Sequence, residues 1–315
     1  MTVPVPNKDR GRGAWVPLLV GMLTANAVTL GFLAVVFWEG KLIHGSENFV
    51  IASMVVLPIA GGLAAGYCWR SLDLTVGRTL LHSLNTTLLG LVGGAVVLRE
   101  GVVCLVIVFP LHYLLIFTGA ALGRIWFKVD RSKMQLWIFP VLALLAGGES
   151  YTRVDEQAVV VDEVLIHAPP QRVWPHVLAF PEITEPPRYW IFRLGLPYPV
   201  KTTNGGNFVS ADRQCIFSDG IVLKETVAEF VPNERLTFDI IEQPTDPEAY
   251  GHITLHRGRF ELRDNHDGTT TLIGSSWYTL HVRPLWYFDW WTRDMTRAVH
   301  LRVMNHVKRL AESGG

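Results

Sequence analysis

Hydrophobic and polar positions change rhythm near residue 150. Before it the apolar positions are nearly continuous. Five runs stand out, at residues 14–38, 49–69, 79–98, 101–127 and 134–148. A helix needs about 20 apolar residues to cross the hydrocarbon core. The first, second and fourth runs meet that length. The third opens on His82, Ser83 and Asn85 but is long enough, and the fifth is short. The first is too long for a signal-peptide core and lacks a small-x-small cleavage site, so it is expected to be retained. After residue 150 the rhythm shortens. Residues 158–166 form a β-branched run that predicts a strand. APPQRVWPHV predicts a short helix with Val173, Trp174, Val177 and Leu178 on one side. Prolines break up residues 181–199, which are expected to hold a second short helix and loop.

Strand-like runs follow at 208–217, 221–230, 236–243, 252–263 and 269–282, separated by turn residues such as Ser218-Asp219-Gly220 and Asp264 to Gly268. A meander of hairpins predicts an antiparallel sheet. The chain closes on one long amphipathic helix, 284–312, with Phe288, Trp291, Met295, Val299, Val303 and Leu310 at helical spacing. The order is strand, short helices, five or more strands, long helix. A strongly curved sheet around that helix satisfies the order and buries the stripe. Two domains follow, an all-α transmembrane bundle of about five helices (1–150) and an α+β domain (151–315).

Composition supports that division. Hydrophobic residues make up 49% of the 315 and charged residues 18%, and most of the charge lies after Glu149. The 28 basic and 28 acidic residues balance, so no bulk attraction to nucleic acid follows. Lys8, Arg10, Arg12, Arg70, Arg78, Arg124, Lys128, Arg131 and Lys133 fall in alternate loops. That pattern predicts an integral membrane protein with a cytoplasmic N-terminus, five spans and an extracytoplasmic second domain. If the fifth run does not cross, the second domain lies in the cytoplasm instead. Cys68, Cys104 and Cys215 are far apart and form neither a disulfide framework nor a CxxC metal spacing. Neither HExxH nor clustered Cys/His is present, so no metal is expected, and no cofactor is implied.

VLIHAPPQRVWPHVLAFPEI, a strand ending in a small residue plus proline and running into a helix with Val173-Trp174, resembles the opening of the START-like, or Bet v 1-like, superfamily. That group is also labelled the polyketide cyclase/dehydrase and lipid-transport family (SRPBCC). HLRVMNHVKRLAE is similar to its C-terminal helix. The resemblance covers roughly residues 159–312. It implies a helix-grip fold with a cavity for a hydrophobic or amphipathic molecule, such as a lipid, isoprenoid or polyketide-like compound. A minority of members catalyse cyclisation, dehydration or hydrolysis there.

Strand alternation turns Arg213 and Glu225 inward, where a pair of opposite charges can orient a polar head group. The competing expectation is a structural ion pair at the sheet surface. Arg259 and Glu261 share one face and are expected to be solvated. His256, Tyr278 and His281 are candidates for acid–base work, although no Ser, His and Asp spacing resembles a hydrolase motif. Trp174 and Trp277 are expected in the core. Trp286, Trp290 and Trp291 are too many for one helix face, so at least one is expected to be exposed or to line the cavity. The expected ligand contacts are Arg213, Glu225, Tyr278, Trp286, Trp290 and Met295. Three functions stay open: a membrane-anchored binding module for a hydrophobic small molecule or lipid, a cyclase or dehydratase pairing Glu225 with a nearby His or Tyr, and a sensor or assembly role for the membrane block. The last requires His82 and Asn85 to face each other across a cavity.

Overall fold

A computed structural model describes residues 15–42, 52–98, 101–129, 157–244 and 252–313. The chain divides into two compact units, Met1–Arg153 and Val154–Gly315.

In the first unit the apolar runs become α1 (Trp15–Leu42), α2 (Leu57–Trp69, entered through a π-helical turn, Ala52–Val56), α3 (Val76–Leu98) and α4 (Val102–Val129). Two stretches, Val76–Val96 and Val102–Phe127, are long and apolar enough to cross a membrane. The expected fifth run, 134–148, lies outside the described residues. Helices in an apolar solvent gain little by hiding side chains from it, so they associate through close backbone approach and polar links. Both devices are present. Gly62 and Gly66 of α2 meet Gly119 and Gly123 of α4, each pair at four-residue spacing. A Cβ on Gly62 would lie 2.9 Å from the Ala120 nitrogen, and one on Gly123 would lie 2.8 Å from the Leu63 oxygen.

The polar links join helices. Asn26 Nδ2 donates to the Met22 oxygen (2.8 Å) within α1 and to the Thr86 oxygen (3.1 Å) on α3. Tyr113 donates to the Leu80 oxygen at 3.3 Å, joining α4 to α3. Arg124 reaches Thr79 Oγ1 (2.6 Å) and the Leu74 oxygen (2.8 Å). His82 and Asn85 do not face each other. The His82 ring packs against buried Trp69 with centroids 5.9 Å apart, and Asn85 is exposed.

The second unit runs β1 (Gln157–Ile166), α5 (Pro170–Leu178), a 3₁₀ turn (Trp190–Leu194), then β2 (Pro199–Asn204), β3 (Asp212–Phe217), β4 (Val222–Val231), β5 (Arg235–Glu242), β6 (Ile253–Asp264), β7 (Thr270–Leu280) and α6 (Leu285–Ser313). All neighbours pair antiparallel in the order β1-β7-β6-β5-β4-β3-β2. Register shifts near Pro199, Lys224, Val227 and Leu255 bend the strands. The sheet curls around α6 as a half-barrel, a helix-grip fold. The proline-rich segment differs from expectation. Only one 3₁₀ turn forms there, and residues 199–204 make an extra strand. Pro199 begins β2, a position where proline removes no interior ladder bond.

The core lies at one end. Ile166, Val227, Leu236, Leu262 and Leu272 of the sheet pack with Val173, Trp174 and Val177 of α5 and with Val303, Met304, Val307 and Ala311 of α6. Gly274 lets α6 approach, since a Cβ there would lie 2.8 Å from Met304 Sδ. Cations along α6 then hold both ends of the sheet. Arg293 Nη1 and Lys308 Nζ donate to the Val159 and Leu165 oxygens of β1, at 3.0 and 2.8 Å. Arg302 donates to the Pro199 oxygen at the start of β2 (3.1 Å) and to the Glu185 oxygen (3.1 Å).

The α2–α4 contact makes a prediction. Gly62→Leu forces the two backbones apart and is expected to cost about 1–3 kcal/mol, the usual range for overpacking. Gly94→Ala adds a methyl where nothing lies within 4 Å. It is expected to be neutral or stabilising by up to about 1 kcal/mol through helix propensity. Heat-unfolding midpoints in detergent separate the two variants, and equal midpoints would contradict the close contact.

Candidate ligand site

The inner face of the sheet can be read from register and contacts with α6. On β7 it carries Leu272, Gly274, Ser276 and Tyr278. Gly274 abuts Met304, Ser276 meets His300, and Tyr278 meets Asp289. Across the ladders these align with Phe260, Gly258 and Leu255 of β6. Phe238 follows opposite Gly258 on β5, and Ile240 lies opposite Glu225 on β4, itself opposite Arg213 on β3. Burial changes along this face. Leu236 and Phe238 are buried, but Ile240, Leu255 and Leu280 are only half-buried although they face inward. On α6 the same change occurs: Met304 and Val307 are buried, Trp291 and Met295 half-buried.

Arg213 and Glu225 occupy this inner face. They form a direct ion pair from Nη1 to Oε2 and are 2% and 3% exposed. The pair is therefore interior, and the expectation of an ion pair at the sheet surface is corrected. The Arg213 guanidinium lies 4.4 Å from the Phe238 ring centroid, and its Nε donates to the Leu178 oxygen at 3.5 Å. Burial pushes the Glu225 carboxyl above its ordinary value while Arg213 pulls it down. Burial also raises the Cys215 thiol on the same face, and the nearby Glu225 charge adds to that.

Tyr278 is fully buried and donates to Asp289 Oδ1 at 2.7 Å. Burial, then the Asp289 bond, raises its phenol. Asp289 also accepts from Arg293 Nε at 2.6 Å. Tyr278 is thus tied to α6. Trp286 and Trp290 are 73% and 63% exposed and turn outward. Trp291, next to Trp290, keeps its Nε1 shielded from solvent and without a hydrogen-bond partner among the described residues. Met295 is half-buried one turn further along.

Other candidates lie elsewhere. His256 and His281 bond Thr279 and Thr254 at 2.8 and 2.7 Å, on the face away from α6. Neither is placed to pair with Glu225. Trp174 is in the core, but Trp277 is half-buried on the outer face, 5.4 Å beneath the Arg259 guanidinium. Arg259 belongs there to a partly exposed network with Glu229 and Thr237. Among the described residues no group of three or more His, Cys, Asp or Glu is placed to hold a metal ion.

One constellation was not expected. His300 on α6 contacts Asp162 Oδ2 of β1 through Nδ1 (2.9 Å) and Ser276 Oγ of β7 through Nε2 (2.8 Å). The partners lie 138 and 24 residues away. No local spacing announces a group assembled from three elements.

The buried pair generates a stability prediction. Arg213→Met leaves Glu225 buried without its partner and is expected to cost about 3–5 kcal/mol. Adding Glu225→Leu should restore most of that loss. A carboxyl whose folded pKa lies above the unfolded one contributes stability that is complete below the unfolded value and lost as pH rises through the folded value. Without the opposing Arg213 that loss is larger. The single variant is therefore expected to weaken, relative to wild type, as pH rises from the ordinary 4.5. Urea titrations between acid and neutral pH would show it, and a pH-independent difference would contradict it.

No protein-family model matches the chain. No curated protein matches it either. Solved structures align with about half of it. Norcoclaurine synthase from Thalictrum flavum, in complex with dopamine and hydroxybenzaldehyde, is 12% identical, covering 51% of this chain and 89% of that one with a TM-score of 0.36. A protein from Nitrosospira multiformis is 18% identical over 48% of this chain and 94% of its own, TM-score 0.34. A solution structure from Thermobifida fusca is 19% identical over 49% and 93%, TM-score 0.33. At such identities and TM-scores the similarity names neither ligand nor reaction.

Proposed function

We propose that the second unit is a START-like ligand-binding domain tethered to a membrane by the first. It holds an amphipathic small molecule, of the lipid, isoprenoid or polyketide-like kind, between the sheet and the N-terminal half of α6. The observation that carries this reading is the buried Arg213–Glu225 pair. Taking two charges out of water is expensive and rarely benefits stability alone. Glu225 lies opposite half-buried Ile240, and the two strands beyond turn half-buried Leu255 and Leu280 to the same face. A polar head near Arg213 and an apolar tail along those residues would complete the burial. Trp291 Nε1 offers an unused donor for a ligand oxygen.

The exposed Trp286 and Trp290 suit ligand exchange with a bilayer, because indoles favour the membrane–water interface. Two helices in the first unit can span that bilayer. The loop charges favour a cytoplasmic N-terminus, and five spans would put the binding domain outside.

The test is mass spectrometry of small molecules that co-purify with residues 157–315, together with uptake of a dansylated long-chain fatty acid. One apolar molecule per domain, or saturable uptake that drops at least tenfold in the Arg213→Met/Glu225→Leu variant, is expected. A folded domain that carries nothing and takes up no probe would overturn the reading.

A further inference from the structure

The geometry points to a second activity within the interior: Ser276, His300 and Asp162 form a nucleophile–base–carboxylate chain competent for hydrolysis of small apolar esters. The argument begins with which atoms carry protons. A carboxylate only accepts hydrogen bonds, so His300 Nδ1, 2.9 Å from Asp162 Oδ2, carries the ring proton. In the neutral imidazole Nε2 is then a lone pair. The Ser276 hydroxyl, 2.8 Å away, donates to it. Asp162 thus selects the tautomer that pulls on the serine proton, the arrangement nucleophilic serines require.

Accessibility favours the same reading. Asp162 and His300 are 8% and 7% exposed, so the carboxylate and the base are shielded. Ser276 keeps more exposed surface than either. It faces α6 on the same side of β7 as Tyr278, directly opposite Gly258, over which the Phe238 ring lies. Arg297 Nε stands 3.5 Å from Asp162 Oδ1 and gives that oxygen a cationic neighbour.

The reaction balances with water alone. Ser276 Oγ bonds to the ester carbonyl carbon as its proton passes to His300 Nε2. The carbon–alkoxy bond then breaks, and the leaving alcohol takes that proton. Water attacks the acyl-serine by the same route, releasing the acid and restoring the hydroxyl. Ser276 is the nucleophile, His300 the base, and Asp162 a positioning residue.

This inference rests on the interior being open to small apolar molecules, and its experiment separates the two readings. Full-length protein in detergent is treated with diisopropyl fluorophosphate, peptides are mapped by mass spectrometry, and dansylated fatty acid uptake is measured on the same sample. Hydrolysis of p-nitrophenyl butyrate is followed in parallel. A single adduct on Ser276 is expected, with hydrolysis lost at least 100-fold in Ser276→Ala, which keeps the His300–Asp162 contact. His300 also ties α6 to β1, so the decisive comparison uses the serine. Ser276→Cys should be alkylated by iodoacetamide at least tenfold faster than Cys215, whose thiol burial holds protonated. No adduct on Ser276, or an adduct only elsewhere, would overturn the catalytic inference, and fatty acid uptake in that same sample would leave the binding reading standing. An adduct on Ser276 without uptake would sustain the nucleophile and overturn the lipid-like ligand.

Discussion

One helix has to cover one face of a seven-stranded sheet, and the second unit is arranged around that constraint. α6 is 29 residues long, enough to lie along the sheet but narrow across it. Its C-terminal half succeeds with help from α5, which contributes Val173, Trp174 and Val177 to a common core. Among the described residues no second helix covers the N-terminal half, where Tyr189, just before the 3₁₀ turn, donates to Asp294. There the sheet turns Ile240, Leu255 and Leu280 toward a helix that leaves them half-buried. An incompletely covered sheet face is costly unless another apolar group completes it. The inner face is therefore solidly packed at one end and only half covered at the other.

The polar groups of the interior follow the same geometry. Arg213 and Glu225 pair across β3 and β4, and the Phe238 ring receives the guanidinium. Phe238 sits opposite Gly258, and Gly258 opposite Ser276. From Ser276 the chain of contacts continues through His300 to Asp162. Two buried polar clusters, one toward each end of the strand order, are therefore separated by one aromatic ring and one glycine. Each is satisfied internally, as buried charge must be.

The sequence was most legible where a period alone decides. Alternation around Arg213 (Ala211, Cys215, Phe217) and around Glu225 (Leu223, Val227) turns both side chains to one face, and both lie there. The long helix was readable because its apolar stripe recurs over many turns. β2 was not, because Pro197 and Pro199 mimic a loop, and only pairing with β3 makes residues 199–204 a strand. Trp277 reads as core by composition, yet the odd-numbered positions of β7 face away from α6, so it packs under Arg259 instead. The Ser276–His300–Asp162 chain had no local signal, since tertiary folding alone brings its members together. In the first unit the glycines were visible as small residues, but which of them touch depended on how α2 and α4 cross.

The contacts of Arg293 and Lys308 with the Val159 and Leu165 carbonyls have a consequence for association between molecules. β1 ends the strand order and shows Val159, Val161 and Leu165 to solvent, 38, 54 and 47% exposed. An apolar, β-branched terminal strand with open carbonyls is a template onto which another extended chain can zip, the usual start of sheet-mediated aggregation. Two long cations reaching over from α6 occupy acceptors that an incoming strand would need, and they place positive charge along its path. The helix that closes the domain's interior thereby also guards its border.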